Sequence, residues 1–176
     1  WKPPNAATLN ALYDALAFPE LLVADDTPRR SEVCENETQL SAFLSKWKGK
    51  PVALHALLED PEPSGEKLTG IGLSIGDGEH CYVAVEGRAW AALVTWLTDA
   101  SAPKQGHDLV PLMVALRRMG LTLAGVVGDS ACSSHLTQPS NWAPHDLTLV
   151  AKHVRGRPMP DDDEVLGTGR ARKKWS

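Results

Sequence analysis

The chain has 176 residues, 43% hydrophobic and 23% charged, the proportions of one soluble globular domain with an appendage, long enough to bury a core. No apolar stretch reaches the roughly 18 residues that suggest a membrane span, and a net charge of −4 with a pI near 5.8 argues against a free-standing nucleic-acid binder, which would carry a basic stripe. Cys34, Cys81 and Cys132 are odd in number, far apart and without C-x-x-C spacing, so neither a disulfide framework nor a zinc site is indicated and a reducing cytoplasm fits.

After Pro3 and Pro4, the segment Thr8 to Ala17 spaces Leu9, Leu12, Tyr13 and Leu16 as one helical stripe, which should dock on something. Pro19, Asp25, Asp26, Pro28, Arg29 and Arg30 make the next stretch a connector. A short strand around Glu32 to Glu35 is expected to hold Cys34. Thr38 is then the N-cap of a helix with Leu40, Phe43, Leu44 and Trp47, stopped by Gly49. A strand at Val52 to Leu57 follows directly. Glu59 to Lys67 holds two prolines, a glycine and several charges and reads as a loop, with a second strand at Leu68 to Ile75. Gly76-Asp77-Gly78 is a tight-turn signal that pairs this strand with the run His80 to Val85.

Ala89 to Leu97 predicts a helix carrying Trp90, Leu93, Val94, Trp96 and Leu97, and Pro103 to Gly106 a short strand. Leu109, Leu112, Met113 and Leu116 form the stripe of a further helix, closed by Gly120, with Pro111 tolerated in its first turn. Leu121 to Val127 reads as a strand. Asp129 should cap a helix through Leu136, broken by Pro139, and Asp146 a last short helix with Leu147, Leu149 and Val150. Beyond Arg155 come Pro158, Pro160, Asp161 to Glu164, two glycines and the basic run Arg170 to Lys174, a tail expected to be poorly ordered. No internal repeat and no signal-peptide pattern is present. A start on Trp1 and an end at Ser176 just past a basic run are what an excised piece of a longer chain would show.

Three antiparallel strands followed by strand–helix crossovers are a ribonuclease H-like pattern, and specific words resemble the 3′→5′ exonuclease domain of family A DNA polymerases (bacterial DNA polymerase I). Val52-Ala53-Leu54-His55-Ala56-Leu57 resembles V-A-F-D-T-E, at the family's spacing from Gly70-Ile71. Lys104 to Leu112 is similar to K-x-G-Q/H-N-x-K-x-D, and Gly125 to Ser130 with Ser134 to Pro139 to F-D-T-x-L-A-S-Y-L-L-D-P. Asp163 to Gly169 is similar to Y-E-E-L-x-G-K-G, and Leu9 through Leu22 to the link that leaves the 5′-nuclease domain. Each word is weak alone; their order and spacing run over nearly the whole chain. The resemblance implies a ribonuclease H-like (DnaQ-like exonuclease) α/β fold, a mixed central sheet flanked by helices with an N-terminal helical linker. It divides the chain into a helix and linker over 1–30, an exonuclease-like domain over 31–156 and a flexible segment over 157–176 that stops before the third exonuclease motif.

The resemblance also exposes a loss. Proofreading in that family is two-metal hydrolysis, which requires carboxylate oxygens around magnesium-type ions. The first-motif D and E fall on His55 and Leu57, the second-motif D on Leu112 and its Asn on Asp108. No metal is therefore expected in this chain, Mg²⁺ serving only the parent polymerase, and two leucines at ligand positions predict a former cleft that is collapsed and partly apolar. A zinc site at His55 and His107 lacks a completing ligand. Asp108 and Asp129 read as helix caps, Ser130, Ser133, Ser134 and His135 lack a nucleophile elbow, and Asp161 to Glu164 read as solvated. Trp90 and Trp96 read as packing in the core or against the parent's polymerase domain, with base stacking the lesser reading. Arg170, Arg172, Lys173 and Lys174 are the candidate phosphate contacts in what is otherwise a solvated tail. The expectation is an inactive, monomeric, cytoplasmic exonuclease-like domain, a structural spacer whose partners are the 5′-nuclease and polymerase domains of its parent and, through it, DNA. Its rivals are an active exonuclease with ligands relocated to Glu59, Asp60 or Asp77 with Asp108, and a module that holds single-stranded DNA or a protein without cutting.

Overall fold

The structure is a computed structural model that describes residues 5–16, 18, 30–62, 65–76, 78–137, 145–155, 159 and 167. Among these the elements in chain order are α1 (Ala6–Ala15), β1 (Arg30–Val33), α2 (Glu37–Ser45), β2 (Val52–Glu62), β3 (Gly65–Ser74), β4 (Glu79–Ala84), α3 (Trp90–Thr98), β5 (Lys104–Gly106), α4 (Val110–Arg118), β6 (Val126–Asp129), α5 (Ser130–Thr137) and α6 (Leu147–Arg155). The strands make one mixed sheet in the order β1-β4-β3-β2-β5-β6. β2, β3 and β4 form the expected antiparallel meander, and β1, β5 and β6 add in parallel to its two edges.

Register separates two faces. Leu54, Leu73 and Cys81 lie side by side, as do Ala56, Ile71 and Val83, and because side chains alternate along a strand all six point the same way. That face carries the core: Leu40 and Phe43 of α2, Leu93 and Leu97 of α3, and Leu112 and Leu116 of α4 close over it. Trp90 and Trp96 pack at its margin, as the helical stripe of α3 predicts. The opposite face shows Ala53, His55, Leu57, Gly70, Gly72, Ser74, His80 and Tyr82. Gly70 is required there, because a Cβ on it would collide with the Tyr82 ring.

Several boundaries differ from the sequence reading, each for a local reason. α1 starts at Ala6 because Asn5 Oδ1 accepts from the Thr8 backbone N–H at 2.8 Å, and its Leu12 and Leu16 are exposed. β1 ends at Val33, so Cys34 sits just past it. The cap of α2 is Asn36 and not Thr38: its side chain accepts from Gln39 N at 3.0 Å while Gln39 Oε1 accepts from Glu35 N at 2.7 Å, a reciprocal arrangement. The expected loop over Glu59 to Lys67 is strand instead, with pairing out to Glu62↔Gly65. β4 pairs no further along β3 than Gly70, and β5 no further along β2 than Leu54. The ribbon beyond has an open edge, and a register irregularity between Glu59 and Glu62 spans Pro61, so its missing N–H does not break a ladder.

The strand expected at Leu121 to Val127 begins only at Val126. Residues ahead of it run along the end of α3, where Ala124 N donates to Leu97 O at 2.9 Å. Gly125 then turns into the sheet at φ +72° with its Cα against Ala102 O, a position without room for a Cβ. Asp108 does not cap α4: the N-cap is Leu109, and Asp108 is a non-glycine residue at positive φ, +47°.

Lys104 of β5 is fully buried. Its Nζ donates to Asp99 O at 2.8 Å and Ala102 O at 2.7 Å and stands 4.5 Å from the centre of the Trp96 ring. The ammonium thus satisfies carbonyls left over where α3 ends, and the aromatic face supplies further attraction. Lys104→Met keeps the stem and strands both carbonyls; it is expected to cost about 2–4 kcal/mol in urea unfolding, whereas loss of under half a kcal/mol would mean that water replaces the ammonium.

Candidate functional site

A cavity of about 690 Å³ opens on the face of the sheet away from the core. Its floor is Ala53, His55, Gly72, Ser74, His80 and Gln105, and its far wall is Gly128, Asp129 and Ser130 with Ser133 of α5, Leu147 of α6 and Met159. The volume suits a small organic ligand. The expected collapse of the former cleft is therefore overturned. The physical reason is that the two leucines do not meet: Leu112 joins the core on one face, while Leu57 is half-buried on the other face of β2, and neither lines the cavity.

The lining polar groups are imidazoles, hydroxyls, an amide and one carboxylate. His80 Nδ1 lies 3.1 Å from Ser74 Oγ, and His107 Nδ1 lies 2.9 Å from Ser130 Oγ. Ser130 Oγ also donates to Gly106 O at 3.2 Å. When its single proton is so placed, Ser130 accepts from His107 Nδ1–H. Ser133 Oγ donates to Asp129 O at 2.9 Å and Ser134 Oγ lies 2.8 Å from His145 Nδ1, whose ring stacks on His135 at 3.6 Å. Ser130 thus ties α5 to the end of β5, Ser133 bonds back to the residue before its own helix, and Ser134 reaches the segment just ahead of α6.

Asp129 is the one carboxylate among the described lining residues. Its Oδ1 accepts from Asp108 N at 3.0 Å and Ala131 N at 2.9 Å, with Cys132 N at 3.4 Å, and its Oδ2 from Leu109 N at 2.9 Å. Partial burial pulls its pKa upward, but the backbone donors outweigh that and hold the carboxyl below its ordinary value. The helix-cap reading of Asp129 is thus met and exceeded, since one side chain caps α5 and also pins the residues that open α4. Magnesium-type ions require several carboxylate or carbonyl oxygens; the described donors on this wall are imidazoles, hydroxyls and a single carboxylate that already accepts from backbone N–H groups, a set that does not fit such an ion.

His55 is exposed, His107 half-buried, and both reach the cavity; Asp108 is exposed outside it. Glu59 stands opposite Lys67 on the ribbon, away from the cavity. Among the described residues no three His, Cys, Asp or Glu side chains gather as a metal site. Asp77, Asp161 to Glu164, and Arg170, Arg172, Lys173 and Lys174 lie outside the described residues, and so does the side chain of Asp60. Sequence reasoning missed Ser74, His80 and Gln105 as lining residues. Strand alternation carried the signal, because Ser74↔His80 and Ala53↔Gln105 are register partners on the same face as His55.

The model of the family described as DNA polymerase I, ribonuclease H-like domain, matches residues 57–175. No curated protein matches by sequence. Among solved structures, the polymerase domain of Pol1 from M. smegmatis, in complex with DNA primer-template and dNTP, is similar at a TM-score of 0.61 and 26% identity over 74% of this chain and 23% of its own. Escherichia coli RNase D, an exoribonuclease, reaches a TM-score of 0.59 at 16% identity over 74% of this chain and 35% of its own. The catalytic core of RRP6 from Trypanosoma brucei reaches 0.60 at 12% identity over 93% and 47%. The chain thus spans about a quarter of the polymerase structure it resembles, and the lower-identity likenesses establish the ribonuclease H-like fold.

Two sets of substitutions follow from this geometry. Asp129→Ala leaves backbone donors at two helix starts without an acceptor and is expected to cost about 2–3 kcal/mol, with Asp129→Asn recovering part of it. Because the folded pKa is depressed, the carboxylate's contribution is fully present above the unfolded value near about pH 4 and disappears as pH falls through the folded value; the Ala variant should flatten that part of a pH–stability curve. Leu112→Asp buries a charge in the core and is expected to cost about 4 kcal/mol or more, but Leu57→Asp within about 1 kcal/mol. Equal losses from the two in thermal melts would contradict their placement on opposite faces.

Proposed function

Because the chain belongs to the ribonuclease H-like domain family of DNA polymerase I, we propose that it is a non-hydrolytic member, a structural spacer between the 5′-nuclease and polymerase parts of a DNA-synthesising, DNA-repair polymerase. The observation that carries the reading is the state of the carboxylates. His55 and Leu57 stand where the first motif places its acids, Leu112 where the second places its own is buried in the core, and Asp129 spends both oxygens on backbone N–H groups. In-line hydrolysis by paired cations needs several oxygen ligands converging on one point, and the described lining of this wall offers a single carboxylate, tied to backbone N–H groups through both oxygens.

The reading makes DNA a partner through the polymerase part of the parent, where Mg²⁺ would serve synthesis. No lysine or arginine is among the described lining residues of the cavity, so phosphate capture by this face has little support. No helix among the described residues is long and apolar enough to cross a membrane, and a cytoplasmic place alongside the parent's other domains is part of the proposal. An exonuclease with relocated ligands is the weaker reading, because Glu59 and Asp108 are both outside the cavity.

The test is digestion of end-labelled single-stranded DNA with millimolar Mg²⁺ or Mn²⁺. The chain and its His55→Asp variant are both expected to leave the substrate at full length, since one restored carboxylate does not rebuild a two-cation clamp. Metal-dependent shortening by the purified chain that vanishes in EDTA and is retained through every chromatographic step would overturn the proposal.

A further inference from the structure

Two cysteines separated by 47 positions meet inside the sheet edge. Cys34 follows β1 and Cys81 lies in β4; both are 3% exposed, and their Sγ atoms are 2.8 Å apart. Cys34 N donates to Tyr82 O at 2.8 Å, and β1 runs parallel to β4 with Val33 beside Tyr82, so the backbone around the pair is already held in place. A disulfide needs about 2.0 Å between the sulfurs. We propose that Cys34 and Cys81 are a modification site, a thiol pair that a low-molecular-weight disulfide oxidises reversibly to an intramolecular disulfide which fastens the edge strand β1 to β4.

The surroundings set when this happens. Burial pushes both thiols up, and for Cys81 the neighbouring sulfur adds to the effect, so in the closed sheet the pair stays protonated and is a poor nucleophile. β1 has one neighbour, and all four of its residues are exposed; such an edge opens locally far more often than the core. In the open form the Cys34 thiolate attacks one sulfur of the small disulfide and displaces the other as a thiol. The Cys81 thiolate then attacks Cys34 Sγ in the mixed disulfide and displaces the second. Two protein thiols are oxidised by two electrons, one small disulfide is reduced to two thiols, and these carry off the two protons. The bond encloses α2, β2 and β3 and fixes the point where the chain enters the sheet.

The experiment uses the Cys132→Ser variant, which lacks the exposed third thiol. It is refolded from urea through glutathione and glutathione disulfide at graded ratios, so that slow access is not an issue. Peptide mapping is expected to find a Cys34–Cys81 cross-link and loss of both free thiols. The melting temperature should rise by about 5–15 °C, as for a loop of this length in a domain of this size, and return on reduction. Cys34→Ser in the same background should show neither the cross-link nor the rise. Stable glutathione adducts without a cross-link, free thiols at the most oxidising ratio, or a cross-linked chain that melts no higher than the reduced one would each overturn the proposal.

Discussion

The carboxylate of Asp129 ties together the part of the fold on which the candidate site depends. It stands at the end of β6 beside Gly106 of β5, where two parallel strands hand over to helices. Both handovers leave N–H groups without helical acceptors. One side chain accepts from the Asp108–Leu109 pair at the start of α4 and from Ala131 and Cys132 in α5. The arrangement explains how Asp108 can stay at positive φ without a side-chain role of its own, because the conformation delivers its N–H to Asp129. It also engages the one acid among the described residues of the cavity wall.

Where the resemblance places acids, the residues of this chain lie in three different surroundings. At Leu112 the replacement has been absorbed into the core, among Leu109, Ala115 and Leu116, where a carboxylate would face a large desolvation cost. At His55 it remains on the cavity floor beside Gly72, a glycine whose Cβ position meets nothing nearer than 3.8 Å. At Leu57 it is half-buried next to Gly70 in the register. The cavity takes its shape from the sheet and from α5 and α6, and of the three only His55 lines it.

The meander, the crossover helices, the caps at Asp129 and Asp146 and the stop at Gly120 were all legible in the residues. Each depends on neighbours within a few positions: an apolar stripe, a short acceptor before a helix, or a glycine at φ +75°. The errors fell where a local signal competed with a distant partner. Pro61 and its charged neighbours spell a loop, yet the pairing across to β3 continues past them. Leu121 to Gly125 spells a strand, yet Leu121 N donates to Leu116 O of α4 and Ala124 N to Leu97 O of α3, and the chain meets β5 only at Gly125.

By itself the sequence determined most of the elements that form and the family to which the chain belongs. Those are properties of residue type and short-range spacing. Only the tertiary structure decided that Leu57 and Leu112 part to opposite faces, that His55, His80 and His107 share a cavity, that Lys104 is buried against Trp96, and that Cys34 touches Cys81. Strand register and the packing of α3 and α4 on the sheet set these together, and register is fixed by which strand pairs with which across long separations. A shift of one residue would turn every side chain of β2 to the other face, and nothing in the local pattern of one strand records the alignment of its neighbour.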